Sequence, residues 1–314
     1  MTVGSEMLTG RTARTTAAEA VRDAETRLKA AGVESAALEA ARLLSLVLNL
    51  PRATLLLDRE RRVDREARAR LDALLERRVG GEPLQHIEGT VAFRDLELRA
   101  DRRALIPRPE TEQLVEWITA WARDPSDDST GAVSDRGRND ARLHRVLDIG
   151  TGSGAIALSL LSEGTSARAL GLDISRDALA LARENRRRLG LEDRLALLQC
   201  GLDPYAALAA CPAFDVIVSN PPYIETRDIA CLPIEVREHD PLEALDGGPD
   251  GLAVIRRVVS GARERLRDGG RLFLEIGAGQ AQAVSDLLDR AGPWRLTVVR
   301  RDLAGRDRFV MAVR

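Results

Sequence analysis

Lysine is almost absent from this 314-residue chain: Lys29 stands alone, and arginine supplies the rest of the 47 basic side chains. With the abundance of alanine, this reads as the coding bias of a GC-rich genome and carries no mechanistic information. Cysteine and histidine are scarce too. Cys200, Cys211 and Cys231 are odd in number and lack CxxC spacing, and His86, His144 and His239 are scattered. A zinc site or a disulfide framework needs closer clustering, so no bound metal is expected, and the thiols read as free in a reducing cytosol. No apolar run approaches the ~18 residues of a membrane span. Residues 1–14 lack the apolar stretch of a signal peptide. A soluble, cytoplasmic protein is expected. Charge of one sign is also missing: 47 basic against 49 acidic residues leave −2, too little for a whole-surface attraction to nucleic acid or to an anionic membrane. What is present is 44% hydrophobic and 31% charged, enough for one large domain and a smaller one.

The texture changes near residue 90. Before it, Ala18, Val21, Ala24 and Leu28 recur at spacings of three and four, as do Leu38, Ala41, Leu44 and Leu48. Pro51 stops the second pattern. Asp64 caps a third helix, with Ala67, Leu71, Leu74, Leu75 and Val79 on one face, and Gly80-Gly81 ends it. No strand-like run interrupts, so residues 1–90 are expected to form a small all-α domain. Its eight arginines and five acids at 59–78 read as a solvated helix face.

From residue 91, Phe93, Leu96 and Leu98 suggest a hairpin, followed by a helix at 110–122. Residues 123–143 are rich in Asp, Ser, Gly and Arg with almost nothing to bury, which reads as a flexible insertion. Beyond it, apolar runs at 145–149, 169–172, 195–198, 214–219, 271–276, 295–299 and 308–313 alternate with helical patterns. That alternation predicts a parallel sheet covered on both faces. The last two runs are joined by a turn too short for a crossover helix and should pair antiparallel. A doubly wound α/β sheet closing on an antiparallel hairpin is the plan of class I S-adenosylmethionine-dependent methyltransferases, and residues 91–314 are expected to form such a domain.

Within it, Val146-Leu147-Asp148-Ile149-Gly150-Thr151-Gly152-Ser153-Gly154-Ala155 runs from a buried strand through alternate glycines into a helix. Such a turn lets a ligand lie against bare backbone. Asp173 ends the next strand, where a carboxylate can accept both ribose hydroxyls. Gly150, Gly152 and Ala155 also satisfy the dinucleotide pattern. Asp148 tilts the reading, because an acid before the turn suits the ammonium of S-adenosylmethionine and repels a pyrophosphate. Asp148, Gly150, Thr151, Gly152, Ser153, Gly154 and Asp173 are therefore the candidate cofactor contacts. Asp203 and Pro204 are candidates on the adenine side. Asp203 before a proline is also a common turn signal.

The most specific segment is Phe214-Asp215-Val216-Ile217-Val218-Ser219-Asn220-Pro221-Pro222-Tyr223. Asn-Pro-Pro-Tyr falls at the carboxyl end of an apolar strand, where open α/β sheets bind ligands. The prolines stiffen the loop and have no N–H. The Asn220 oxygen and a proline carbonyl can accept both hydrogens of a planar –NH₂ group, with the Tyr223 ring over its flat face. That clamp holds a poorly nucleophilic nitrogen in line with the methyl group and stabilises the charge that develops on it. Asn220 also adjoins the cofactor. Phe93 and Arg108 are counted with Asn220, Pro221, Pro222 and Tyr223 on the substrate side.

Asn-Pro-Pro-Tyr also occurs in adenine-N6 DNA methyltransferases and does not by itself identify the acceptor. Leu105-Ile106-Pro107-Arg108-Pro109-Glu110-Thr111-Glu112 resembles the proline-flanked signature of the HemK-type peptide chain release factor glutamine methyltransferases. The segments 81–89, 238–245, 272–277 and 302–308 resemble further blocks of that family. His86 departs from its usual Tyr, and Pro204 from a usual aromatic residue. The resemblance spans roughly residues 15–314. It implies methyl transfer from S-adenosylmethionine, with S-adenosylhomocysteine as product. The acceptor would be the glutamine amide in the Gly-Gly-Gln loop of class 1 release factors, with the helical domain docking the factor. A monomer is expected, without nucleic-acid or membrane partners. Adenine-N6 methylation of DNA or RNA is the alternative, disfavoured by the absence of a basic target-recognition domain.

Overall fold

The computed structural model describes residues 15–123, 143–208 and 211–314. The stretch read as an insertion lies outside the described residues, apart from Arg123 and Leu143 at its ends. The chain divides into two compact units, 1–88 and 89–314.

The first unit is built on three helices, α1 (Ala17–Ala30), α2 (Ala36–Leu48) and, after the short α3 (Arg52–Leu57), α4 (Arg65–Val79), with α5 (Leu84–Glu88) closing it. Thr16 and Glu19 form a capping box at the start of α1, and the Asp64 carboxylate accepts the Ala67 N–H at 2.7 Å. Each satisfies donors that a helix start leaves bare. The expected helices are present, with two corrections. Thr15–Thr16 (β1) pairs antiparallel with Arg62–Val63 (β2), so the unit is not purely helical. In α2 the buried face is Ala36, Ala40, Leu43, Leu44 and Val47, not the series through Leu38, which is 43% exposed. α2 is apolar nearly all round, so periodicity alone left its register open. The arginine run is not simply solvated either: Arg78 is 4% exposed and binds Glu39 of α2 at 2.6 Å.

The second unit opens on the hairpin β3 (Thr90–Phe93) and β4 (Leu96–Arg99), followed by α6 (Pro109–Arg123). Then come β5 (Leu143–Ile149), α7 (Ala155–Ser162), β6 (Ser166–Asp173), α8 (Arg176–Arg188), β7 (Leu195–Gln199) and β8 (Phe214–Ser219). The chain continues through α9 (Ile234–Arg237), α10 (Ala253–Arg265), β9 (Leu266–Glu275), α11 (Ala281–Ala291), β10 (Leu296–Arg301) and β11 (Asp307–Val313). Seven strands make one sheet in the order β10-β11-β9-β8-β5-β6-β7. β7, β6, β5, β8 and β9 run parallel, and β11 pairs antiparallel with both β9 and β10, as the short turn required. Alternate residues of the central strands feed two cores: Val146, Val216 and Val218 join one, Leu147, Ile149 and Ile217 the other. This is the period-two signature of a sheet buried on both faces.

Candidate active site

β5 lies between β6 and β8, so strand order reverses there and the loops beyond the carboxyl ends diverge. A cavity of about 450 Å³ opens at that point, lined by the loops after β5, β6 and β8. Small-molecule sites typically run ~300–1,000 Å³.

Gly150, Thr151, Gly152 and Ser153 line it. Gly150 and Gly152 take φ of 72° and 57°, a region L side chains rarely adopt. A Cβ on Gly150 would meet no protein atom within 4 Å, so bare backbone faces open space. Gly154 (φ 86°) caps α7 outside the lining, and a Cβ there would stand 3.0 Å from Leu158. It serves packing. Asp173 lines the cavity from the end of β6, its oxygens accepting the Gly152 and Ser175 N–H groups at 2.9 Å each. Burial raises its pKa against the pull of those backbone donors.

Asp148 does not fit the expected direct contact with a ligand ammonium. It is fully buried and absent from the lining. Its Oδ2 accepts the Thr151 hydroxyl at 2.7 Å and the Ala157 N–H at 3.3 Å, while Oδ1 has no partner among the described residues. Burial pushes its carboxyl up to about 7. Asp148 therefore braces the loop from beneath. Asp203 is a second correction: it is exposed, off the lining, and its Oδ1 accepts the Tyr205 N–H at 2.9 Å. The turn reading holds there, and Pro204, with Gly201 and Leu202, forms the wall instead.

The loop after β8 brings Asn220 and Pro222 to the cavity, whereas Pro221 and Tyr223, expected beside them, are not among the residues that line it. The Asn220 Nδ2 donates to Thr111 Oγ1 at 3.0 Å, and the Thr111 hydroxyl lies 2.8 Å from Glu275 Oε2. Among the described residues no donor occupies Asn220 Oδ1. Tyr223 has the Arg308 guanidinium 5.7 Å from its ring centroid, and its carbonyl accepts from Gln280 Nε2 at 3.1 Å. Burial pushes the Tyr223 phenol up to about 12, with Glu275 adding to the shift. Arg108 lines the cavity and binds Asp240 at 2.6 Å.

Phe93 is a third correction. It is 0% exposed and packed in the core with Leu114 and Ile118, so it has no surface left for a substrate. The strand pattern marks an inward-facing aromatic without saying what covers it. Thr111 and Glu275 carried no assigned role in the sequence, although both fall in segments resembling family blocks. Cys200, Glu243 and Arg257 also line the cavity without a local motif.

The residues present fit S-adenosylmethionine. Open glycine backbone, a rim carboxylate at Asp173 and an apolar slot of Ile174, Leu202, Pro204 and Val258 surround a volume of the right class. Among the described residues no cluster is placed to hold a metal ion, and no helix is long and apolar enough to cross a membrane.

The PrmC N-terminal domain model matches residues 19–89, and a methyltransferase domain model matches 141–275. The release factor glutamine methyltransferase of Moorella thermoacetica is 42% identical over 297 residues, covering 94% of this chain and 98% of that one. That of Caulobacter vibrioides is 38% identical over 291 residues, covering 93% and 94%. Among solved structures, the hMettl16 catalytic domain shares the fold, with a TM-score of 0.50 at 16% identity over 68% of this chain and 74% of that one. With both segments in order and identity near 40% across more than nine-tenths of its length, the chain belongs to the release factor glutamine methyltransferase family.

Proposed function

We infer that this enzyme transfers a methyl group from S-adenosylmethionine to the side-chain amide of the Gly-Gly-Gln glutamine in class 1 release factors. The observation that carries the reading is the Asn220 carboxamide at the cavity wall, tied back through its Nδ2 to Thr111, while its Oδ1 meets no donor among the described residues. An acceptor presented this way suits an incoming N–H, whereas a general base is not needed by a planar amide.

The cofactor supplies a methyl group already activated on a sulfonium. The Gly150–Ser153 backbone and the Asp173 carboxylate would hold it, and the apolar side chains of Ile174, Leu202 and Pro204 would shield it from water. Asn220 Oδ1 and a carbonyl of the Pro221-Pro222 pair accept the two amide hydrogens, orienting the nitrogen and stabilising the positive charge it gains. The proton leaves to water afterwards. The helical unit docks the release factor, a reading supported by its match to the PrmC N-terminal domain.

The test is incubation with labelled cofactor and either release factor or DNA, followed by mass spectrometry of the Gly-Gly-Gln peptide. One methyl on that glutamine is expected. Label in DNA with none in the factor would overturn the reading.

A further inference from the structure

Glu275 is a buried acid for which the reaction above has no use. It ends β9 at 1% exposure, does not line the cavity, and its Oε2 meets the hydroxyl of Thr111, itself 4% exposed. Thr111 in turn faces Asn220 Nδ2. Three side chains from α6, β8 and β9 thus form one line ending at the reacting amide.

We propose that Glu275, acting through Thr111, is the positioning residue that sets which end of the Asn220 carboxamide faces the acceptor nitrogen, and that its ionised form is the working one. This rests on the amide-methylation reading. An asparagine amide is nearly symmetric in shape, and its two ends differ only in hydrogen bonding. A carboxylate can only accept, so ionised Glu275 takes the single hydroxyl hydrogen of Thr111. The Thr111 oxygen is then left only to accept, and it takes the Asn220 N–H at 3.0 Å. The amide oxygen must therefore point to the acceptor. Protonated Glu275 can donate to Thr111 instead. The hydroxyl hydrogen is then free to turn to Asn220, and the flipped amide presents N–H₂ to an incoming N–H₂, which repels it.

The groups around Glu275 bear on its charge. Arg308 of β11 and Arg108 ahead of α6 favour the ionised form, Glu110 opposes it, and the Tyr223 phenol stays neutral beside it. Burial is the largest influence and brings Glu275 up to about 7, so the switch lies within reach of neutral pH.

The test uses the full chain. Thr111→Val keeps the shape and removes the relay. Its kcat should fall at least ~10-fold, part of the roughly 10²–10³ that a fully lost transition-state contact costs, with calorimetric affinity for S-adenosylmethionine and KM for release factor close to wild type. Thr111→Ser should restore turnover. Wild-type kcat at saturating cofactor should drop as pH falls below 7, and Glu275→Gln should flatten that limb. A limb from Asp148 would appear in cofactor affinity instead. A second readout needs no acceptor: the ¹⁵N side-chain resonance of Asn220, identified by its loss in Asn220→Asp, should titrate near neutrality in wild type and not in Glu275→Gln. Wild-type kcat in Thr111→Val, or an Asn220 resonance indifferent to pH, overturns the proposal. Failure to methylate release factor alongside a titrating resonance overturns the functional reading and leaves the relay standing.

Discussion

Asn220→Ala removes the side-chain acceptor at the cavity while leaving the loop prolines in place. Its kcat is expected to fall by roughly 10²–10³, with calorimetric affinity for S-adenosylmethionine little changed; turnover near wild type would demote the segment to a turn. Asn220→Asp keeps an acceptor oxygen but loses the N–H that meets Thr111. If acceptance alone mattered it would outperform the alanine variant, and the relay predicts it to be nearly as poor. Asp173→Ala loses the rim carboxylate and also the anchor of Gly152 and Ser175. Bonds to charged groups are worth about 1.5–3 kcal/mol, so cofactor affinity should weaken by roughly ten- to a hundredfold. Asp148 makes a different prediction. Its carboxyl is raised to about 7 by burial, so the folded state holds a proton that the unfolded state releases from about pH 4 upward. Stability from this group is therefore lost as pH rises toward 7. Asp148→Asn removes that loss, and its stability relative to wild type should increase by about 2–3 kcal/mol between pH 5 and 8. Paired denaturant titrations check this, and a difference independent of pH would contradict it.

At the scale of elements, the catalytic loop is held from outside as well as by its own prolines. Gly251, at φ +69°, lies so close that a Cβ would stand 2.4 Å from the Tyr223 carbonyl and 2.6 Å from Gln280 Nε2. Gly251→Ala should cost about 1–3 kcal/mol in strained backbone and push the Asn-Pro-Pro-Tyr segment out of place. The expected result is a lowered Tm together with lowered kcat, and cofactor affinity less affected; unchanged kcat would show that the loop does not depend on this contact. The strands were legible because parallel strands buried on both faces read as apolar runs: 214–219 matches β8 residue for residue. β9 starts at Leu266, five residues before the apolar run: its pairing with β8 jumps from Leu266 to Arg271 across an irregularity that holds Gly269 and Gly270, and a polar, glycine-bearing break of that kind carries no strand pattern.

For the whole molecule, each unit has a core of its own: Leu28, Leu43, Leu71 and Leu75 in the first, the two faces of the sheet in the second. All cavity-lining residues belong to the second. Removing residues 1–88 should leave a folded protein that binds S-adenosylmethionine close to full-length affinity by calorimetry. It should methylate a short Gly-Gly-Gln peptide and fail on intact release factor. Normal rates on the intact factor would show that docking lies elsewhere.

The sequence by itself determined the two-part plan, the antiparallel pairing at the hairpin, the glycine loop, and the places of Asp173 and Asn220 at the carboxyl ends of their strands. Each is a local matter of periodicity, turn chemistry or a side chain at a strand end, and local chemistry is written in neighbouring residues. Tertiary structure decided the rest. Asp148 lies beneath the loop because Thr151 and Ala157 fold over it. Phe93 is consumed by the core, and Arg78 is drawn inside by a glutamate 39 residues away. Thr111, Asn220 and Glu275 stand 109 and 55 residues apart along the chain and meet only when α6, β8 and β9 pack. Hydrogen-bond partners across such separations leave no spacing to read, because what unites them is the position of whole elements.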